Sequence, residues 1–157
     1  MHAFSSLASV GLVSDTHGLL RRSVILALHG VDLILHAGDI GKPEVLDGLS
    51  AVAPVIAVRG NVDREFDFLP KTELVSINNH LVYLLHDLNA LDLNPVSSQI
   101  AIVVTGHSHQ ARIQNKEGVW YINPGSIGPR RFKLPIALVK LRCEAAAFVP
   151  ELIELPN

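Results

Sequence analysis

Five apolar runs in this 157-residue chain stop at short polar motifs of one kind. The motifs are Asp15-Thr16-His17, Gly38-Asp39, Gly60-Asn61, His86 and Gly106-His107-Ser108-His109. A buried strand that stops on an aspartate, asparagine or histidine constrains the fold twice. Its apolar body must be covered, and its polar end must meet a partner where the cover stops. The set contributes two aspartates, one asparagine and four of the eight histidines. Hard oxygen donors mixed with imidazoles are ligands for divalent metal ions.

The rest of the composition suits such a scaffold. Hydrophobic residues make up 48% and aromatics only 5%, so the apolar mass is Val, Leu, Ile and Ala. That mixture favours strands buried on both faces. One domain spanning residues 1–157 is expected, long enough to bury most of its apolar surface. The net charge of −2 gives no general attraction to nucleic-acid polymers or anionic membranes, and neither is an expected partner. The single cysteine, Cys143, cannot form an internal disulfide. It reads as a small buried hydrophobe in a chain from a reducing, cytoplasmic compartment. The N-terminal apolar stretch Ala3 to Val13 is interrupted by Asp15 well short of the ~20 residues of a membrane span. It also lacks the basic flank of a signal peptide.

Hydrophobic spacing predicts strands at Ser9–Ser14, Asp32–His36 and Val52–Val58. Helices are predicted between them at Leu19–His29, where Leu20, Val24, Ala27 and Leu28 recur near 3.6 spacing, and at Pro43–Leu49. This β-α-β-α-β order implies a parallel sheet with right-handed crossovers. In the second half, Thr72–Ile77 and His80–Leu85 flank an Asn78-Asn79 turn. Ile100–Thr105 is a continuous β-branched run, and Ala111–Asn115 and Val119–Ile122 flank Lys116-Glu117-Gly118. Ile136–Leu141 and Ala145–Ile153 close the chain as a strand pair. The polar segment Asp87 to Ser98 reads as a short helix or a flexible cover. The two halves must share one core, which makes the expected fold class α/β with two facing sheets.

Ligands of open α/β sheets bind beyond the carboxyl ends of the strands. Asp15, His17, Asp39 and Asn61 follow the first three strands; His86, His107 and His109 follow strands of the second half. Facing sheets would bring all seven to one crevice. In Asp15-x-His17 and His107-x-His109, extended chain would send both side chains to the same side. Seven donors without a thiolate exceed the needs of one ion. Two ions ~3.5–4 Å apart, bridged by a carboxylate and a hydroxide, account for the number and suit phosphoryl transfer to water.

On these motifs, and on Asn123-Pro124-Gly125-Ser126, the chain resembles the calcineurin-like metallophosphoesterases, in particular the small single-domain YfcE-like phosphodiesterases. The resemblance runs from Val13-Ser14-Asp15-Thr16-His17-Gly18 to Ser126. It implies a four-layer αββα sandwich of two mixed sheets flanked by helices. It implies a first metal on Asp15, His17, Asp39 and His109, and a second on Asp39, Asn61, His86 and His107, with Asp39 bridging. Asp39, Asn61 and His86 would then carry catalysis on a small phosphate ester, a phosphodiester first and a monoester second. The cofactors would be two divalent ions, Mn foremost, with Ni, Fe, Co, Zn or Mg as alternatives. Asp63 is expected to orient the ligand rings, Arg59 to reach a phosphate or a surface carboxylate, and Ser126 to act as a hydrogen-bonding residue. His36 is assigned to support or core.

Two positions depart from the family pattern. Val62 stands where larger relatives carry a histidine that protonates the leaving group. Asp87 follows His86 where the family commonly has glycine; it could add a ligand, repel an anionic substrate or face solvent. The alternative to an enzyme is a protein-binding scaffold of the same fold, as in the retromer sorting subunit. A homodimer is the expected assembly on apolar content.

Overall fold

The computed structural model describes residues 1–157. In chain order the elements are β1 (His2–Phe4), β2 (Ser9–Val13), α1 (Arg22–Ala27), β3 (Leu33–His36), α2 (Pro43–Ser50), β4 (Val55–Ala57), β5 (Thr72–Ile77) and β6 (His80–Leu85). A 3-10 turn (Leu88–Ala90) follows, then β7 (Ile100–Val104), β8 (Arg112–Lys116), β9 (Val119–Asn123), β10 (Ile136–Glu144) and β11 (Ala147–Leu155). They form two mixed sheets, one ordered β11-β10-β2-β3-β4 and the other β1-β5-β6-β7-β9-β8.

Within the first sheet β2, β3 and β4 are parallel, as the alternating first half requires. In the second, β6, β7 and β9 are parallel to one another, while β5–β6 and β8–β9 are hairpins. The β5–β6 turn has Asn78 and Asn79 at φ 50° and 68°. Both values suit a type I′ turn, in which asparagine tolerates the left-handed region.

Two apolar layers hold the sheets. Between them, Val10, Leu12, Leu33 and Leu35 of one sheet face Val75, Val82, Leu84, Ile102 and Val104 of the other, all fully buried. On the outer face of the first sheet, Val24 and Leu28 at α1 and Val45 and Leu49 of α2 pack on Val13, Ile34 and Leu138. The fourth layer of the expected sandwich is thin. Leu91 and Leu93, beside the 3-10 turn, pack on Leu85, Ile100, Val103 and Val119 of the second sheet. The segment Asp87 to Ser98 is therefore a cover with one short turn of helix.

Some boundaries differ from expectation for local reasons. Helix α1 starts three residues later and stops two earlier than the apolar spacing suggests. At its N-terminus it has no side-chain cap and no acidic residue in the first turn, which favours a later start. At its C-terminus Leu28 N and His29 N bond Val24 O and Leu26 O as a closing turn. Strand β4 is shorter than Val52–Val58 because Val52 and Ala53 donate backward to Leu49 at the end of α2. Strand β1, which overlaps only the start of the Ala3–Val13 stretch, pairs in parallel with β5. Its three residues carry no periodicity of their own. No helix is long and apolar enough to cross a membrane.

The inter-sheet layer should dominate stability. Leu84→Ala, at 0% exposure, is expected to lower the unfolding free energy by about 2–5 kcal/mol. Leu26→Ala, at 64% exposure, should change it by less than about 0.5 kcal/mol. Urea titrations of the two variants check the contrast.

Candidate metal centre

Parallel pairing puts the ends of β2, β3 and β4 on one edge, and the loops beyond them remain hydrogen-bonded. Asp15 N donates to Gly38 O at 3.0 Å, His17 N to Asp39 O at 2.9 Å, and Gly18 N to Ile40 O at 2.8 Å. On the facing sheet Gly106 N donates to His86 O at 2.9 Å. Backbone groups help join the sheets at this edge: His86 Nδ1 donates to Ala37 O at 2.8 Å, and His107 N to Asp15 Oδ2 at 3.1 Å.

Five of the seven expected ligands converge tightly. Asp15 Oδ1 lies 3.3 Å from His109 Nε2, 3.7 Å from His17 Nε2 and 4.0 Å from His86 Nε2. Asp39 Oδ2 lies 3.2 Å from His86 Nε2 and 3.6 Å from His17 Nε2, so this one oxygen faces both histidines. The His17 and His109 Nε2 atoms are 3.2 Å apart. Two donor groups emerge, Asp15-His17-His109 and Asp15-Asp39-His86. Asn61 and His107 stand at the exposed rim. The His107 ring is edge-on to His86, 5.2 Å between centroids, and Asn61 follows Gly60 beside Asp39.

The three shortest donor spacings, 3.2–3.3 Å, fit a shared metal. Ligands about 2.1 Å from a common ion lie about 3.0–3.4 Å apart at angles of 90–109°. The tautomer of His86 also suits one: a carbonyl only accepts, so Nδ1 carries the hydrogen and Nε2 offers its lone pair toward the aspartates. Asp15 Oδ1 and His86 Nε2, both facing the centre, are buried with no hydrogen-bond partner. Orphaned polar atoms on converging side chains mark a position that another atom satisfies.

The backbone at these residues is unusual. Asp15, His17, Asp39, His107 and His109 have φ of 57°, 45°, 56°, 72° and 60°. Left-handed backbone costs about 1–2 kcal/mol at most non-glycine residues, and the loop-to-loop bonds hold it in place. This corrects the extended Asp-x-His and His-x-His geometry expected from alternation. The result is divergence within the second motif: His109 turns inward to His17, and His107 outward to within 3.9 Å of Asp87. Glycines make room for the carboxylates. A Cβ on Gly60 would overlap the Asp39 carboxylate, and one on Gly106 would overlap the Ser14 hydroxyl that binds Asp15.

Supporting residues fall in three places. Asp63, expected to orient ligand rings, instead accepts from the backbone of Ile40, Gly41 and Gly60 at 2.8–3.1 Å, stapling two ligand loops together. Ring orientation falls to the Ala37 carbonyl. Ser126 donates to Asp15 O at 2.9 Å, and Asn123 to Gly106 O at 2.8 Å, so the Asn-Pro-Gly-Ser turn braces the loops. Asp87 accepts from Asn89 N at 3.0 Å and caps the 3-10 turn. Ser14, Thr16 and the backbone N–H of Val62 were not singled out from sequence. Ser14 donates to Asp15 Oδ2 at 2.6 Å and Val62 N to Asp39 Oδ1 at 3.1 Å. No motif spacing announces a hydroxyl or a main-chain donor.

His36 forms a separate buried relay. Its Nδ1 accepts from Gly38 N at 3.0 Å, which leaves Nε2 to donate to Thr16 Oγ1 at 3.0 Å; Thr16 donates onward to Ile40 O at 2.8 Å. Burial, reinforced by nearby His86, lowers the His36 pKa from 6.5 to about 3. In the ligand set, burial pushes Asp39 up, but the His86 ring, the Val62 N–H and His17 outweigh it and hold the carboxyl below its usual range. Burial likewise pulls His86 down, yet Asp39, the Ala37 carbonyl and Asp15 leave it raised. His109 is lowered, by burial first.

The sequence profile of the calcineurin-like phosphoesterase superfamily domain matches residues 9–145. The chain belongs to the calcineurin-like phosphoesterase superfamily. A probable metallophosphoesterase of Methanothermobacter thermautotrophicus is 32% identical over 157 residues, covering 92% of this chain and 91% of the relative. Among solved structures, Chaetomium thermophilum Vps29 shares the fold with a TM-score of 0.83 at 14% identity, over 95% of this chain and 88% of that one. YfcE, a phosphoesterase from E. coli, superposes with a TM-score of 0.66 at 25% identity, over 85% and 87% of the two chains. Superfamily members use divalent metals, and the converging donors described above are this chain's candidates to hold them.

The His36 relay makes a pH prediction. Its folded pKa lies below its unfolded value, so its contribution is complete above pH 6.5 and is lost as pH falls toward 3. Wild type should exceed His36→Asn in stability at pH 7, and the gap should narrow by about 1–2 kcal/mol at pH 5. Urea unfolding at both values is the check, and a gap independent of pH would contradict the relay.

Proposed function

We propose that this superfamily member is a phosphodiesterase, with lesser activity on phosphomonoesters, working with two divalent ions on a small phosphate ester. The observation that carries the reading is the position of Asp39 Oδ2 between His86 and His17. Membership of the superfamily supports hydrolysis of phosphate esters, and the likeness to YfcE is consistent with it.

In this reading Asp15, His17, Asp39 and His109 would hold one ion, and Asp39, Asn61, His86 and His107 the other, with Mn first among the candidates. Bound there, the ions would supply Lewis acidity, lowering the pKa of water and neutralising phosphoryl charge. The protein's own part is to fix the donors. Ala37 O holds His86 in the tautomer that frees Nε2. Ser14 and the His107 N–H engage Asp15 Oδ2, so that Oδ1 stays free as a donor facing the histidine rings. Val62 N engages Asp39 Oδ1, leaving Oδ2, the oxygen nearer His86 and His17, free as a donor.

Val62 presents no acid to the leaving group, and its side chain is exposed. Esters with good leaving groups should therefore turn over best. A cleft of about 880 Å³ beside His107, lined by Asp87, Arg112, Tyr121 and Asn123 among others, offers room for the leaving group. The location is proposed to be the cytoplasm, and a homodimer remains the proposed assembly.

The scaffold alternative draws on the Vps29 likeness, which concerns the fold. The intact donor set favours the enzyme. With bis(p-nitrophenyl) phosphate and Mn²⁺, Asp39→Asn should lose at least about 100-fold in kcat, because Asp39 belongs to one donor group and its Oδ2 also faces His17 of the other. Turnover within twofold of wild type would contradict the assignment.

A further inference from the structure

A second cavity, of about 390 Å³, opens at the Asn61 loop, lined by Arg59, Gly60, Asn61, Asp63, Arg64 and Lys71, with no hydrophobic residue. The loop that shapes it folds back on itself. Asp63 N bonds Gly60 O, Phe66 N bonds Asp63 O, and Leu69 N bonds Phe66 O. Phe66 anchors it in the helix–sheet core, and Arg59 N bonds Pro70 O at 2.9 Å. This closure returns Lys71 beside Arg59, twelve positions earlier in sequence.

Three cations thus share one polar hollow, and none of them forms an ion pair. Asp63, the one carboxylate in the wall, is fully engaged with three backbone N–H groups. Arg59 Nε is buried and lacks an acceptor. In a chain of net charge −2, three gathered and unpaired cations make a local anion site that the overall field does not provide. Gly60 packs on the Asp39 carboxylate, so the hollow shares a wall with the metal centre.

We propose that this hollow binds a second phosphoryl group of the substrate, held by the Arg59 guanidinium with Arg64 and Lys71, while the scissile phosphate sits at the metals. The substrate class is then a phosphodiester, or secondarily a monoester, bearing another phosphate nearby; nucleoside bisphosphates and diphosphates serve as binding probes of that second phosphate. Arginine offers a fork matched to phosphate oxygens, and lysine a mobile point charge. The inference rests on the phosphoesterase reading for the role of the first phosphate.

Calorimetric titration in Mn²⁺ buffer with thymidine 5′-monophosphate, thymidine 3′,5′-bisphosphate and thymidine 5′-diphosphate tests it. At least one doubly phosphorylated probe should bind about tenfold tighter than the monophosphate, and which one does so reports the phosphate spacing. The advantage should fall below about threefold in Arg64→Ala/Lys71→Ala and also in Lys71→Gln. It should persist in Lys133→Ala, which removes an exposed charge outside the hollow. Equal affinities in wild type, or an advantage that survives the double variant, would overturn the proposal. Hydrolysis of bis(p-nitrophenyl) phosphate separates the two claims. Hydrolysis with no second-phosphate advantage removes the subsite alone. A second-phosphate advantage without hydrolysis removes the enzymatic reading alone.

Discussion

The structure depends on the way hydrogen bonding continues past the carboxyl ends of β2 and β3. Asp15 N, His17 N and Gly18 N bond Gly38 O, Asp39 O and Ile40 O, so two loops run side by side beyond the sheet edge. That register fixes two aspartates and a histidine at once, in left-handed backbone that an isolated loop would abandon. Asp63 reinforces it from the third loop by capping Ile40, Gly41 and Gly60. The second sheet then needs only to present His86 and His109 to a preformed pair of carboxylates. The inter-sheet core and the Ala37–His86 bond bring them there.

This arrangement explains why the polar ends tolerate burial. Asp15 and Asp39 are almost wholly buried, a state that is unfavourable for an anion without partners. Each uses one carboxylate oxygen for hydrogen bonds from the protein and turns the other to the imidazoles. The divided use of the two oxygens separates structural support from metal binding within a single side chain. His36 sits one step behind, neutral, relaying hydrogen bonds between the same two loops.

Much of this was legible in the sequence. Alternation of strands and helices in the first half, and the polar stop after each strand, located the edge where Asp15, Asp39 and Asn61 emerge. The Asn78-Asn79 turn and the Val-, Leu- and Ile-rich runs located the second sheet. What escaped was conformation at single residues. Nothing in Asp15-x-His17 or His107-x-His109 signals positive φ, because glycine, the usual sign, is absent from those positions. The outward turn of His107 therefore could not be read. Asp63 was noticed, but whether a carboxylate faces a ring or three main-chain N–H groups depends on loop closure, which residue identity does not encode. Strand β1 depends on pairing with β5, some seventy residues away, and leaves no local pattern. The hollow at Arg59, Arg64 and Lys71 also exists only because the loop returns on itself.

The central claim is that one set of donors sharing Asp39 holds two ions, and metal stoichiometry tests it most directly. Protein stripped of metal and titrated with Mn²⁺, with bound metal measured by elemental analysis after desalting or by calorimetry, should take up two ions per chain. Asp39→Asn should weaken both binding events together. A single ion per chain, or two ions of which only one responds to Asp39→Asn, would contradict the shared-carboxylate account.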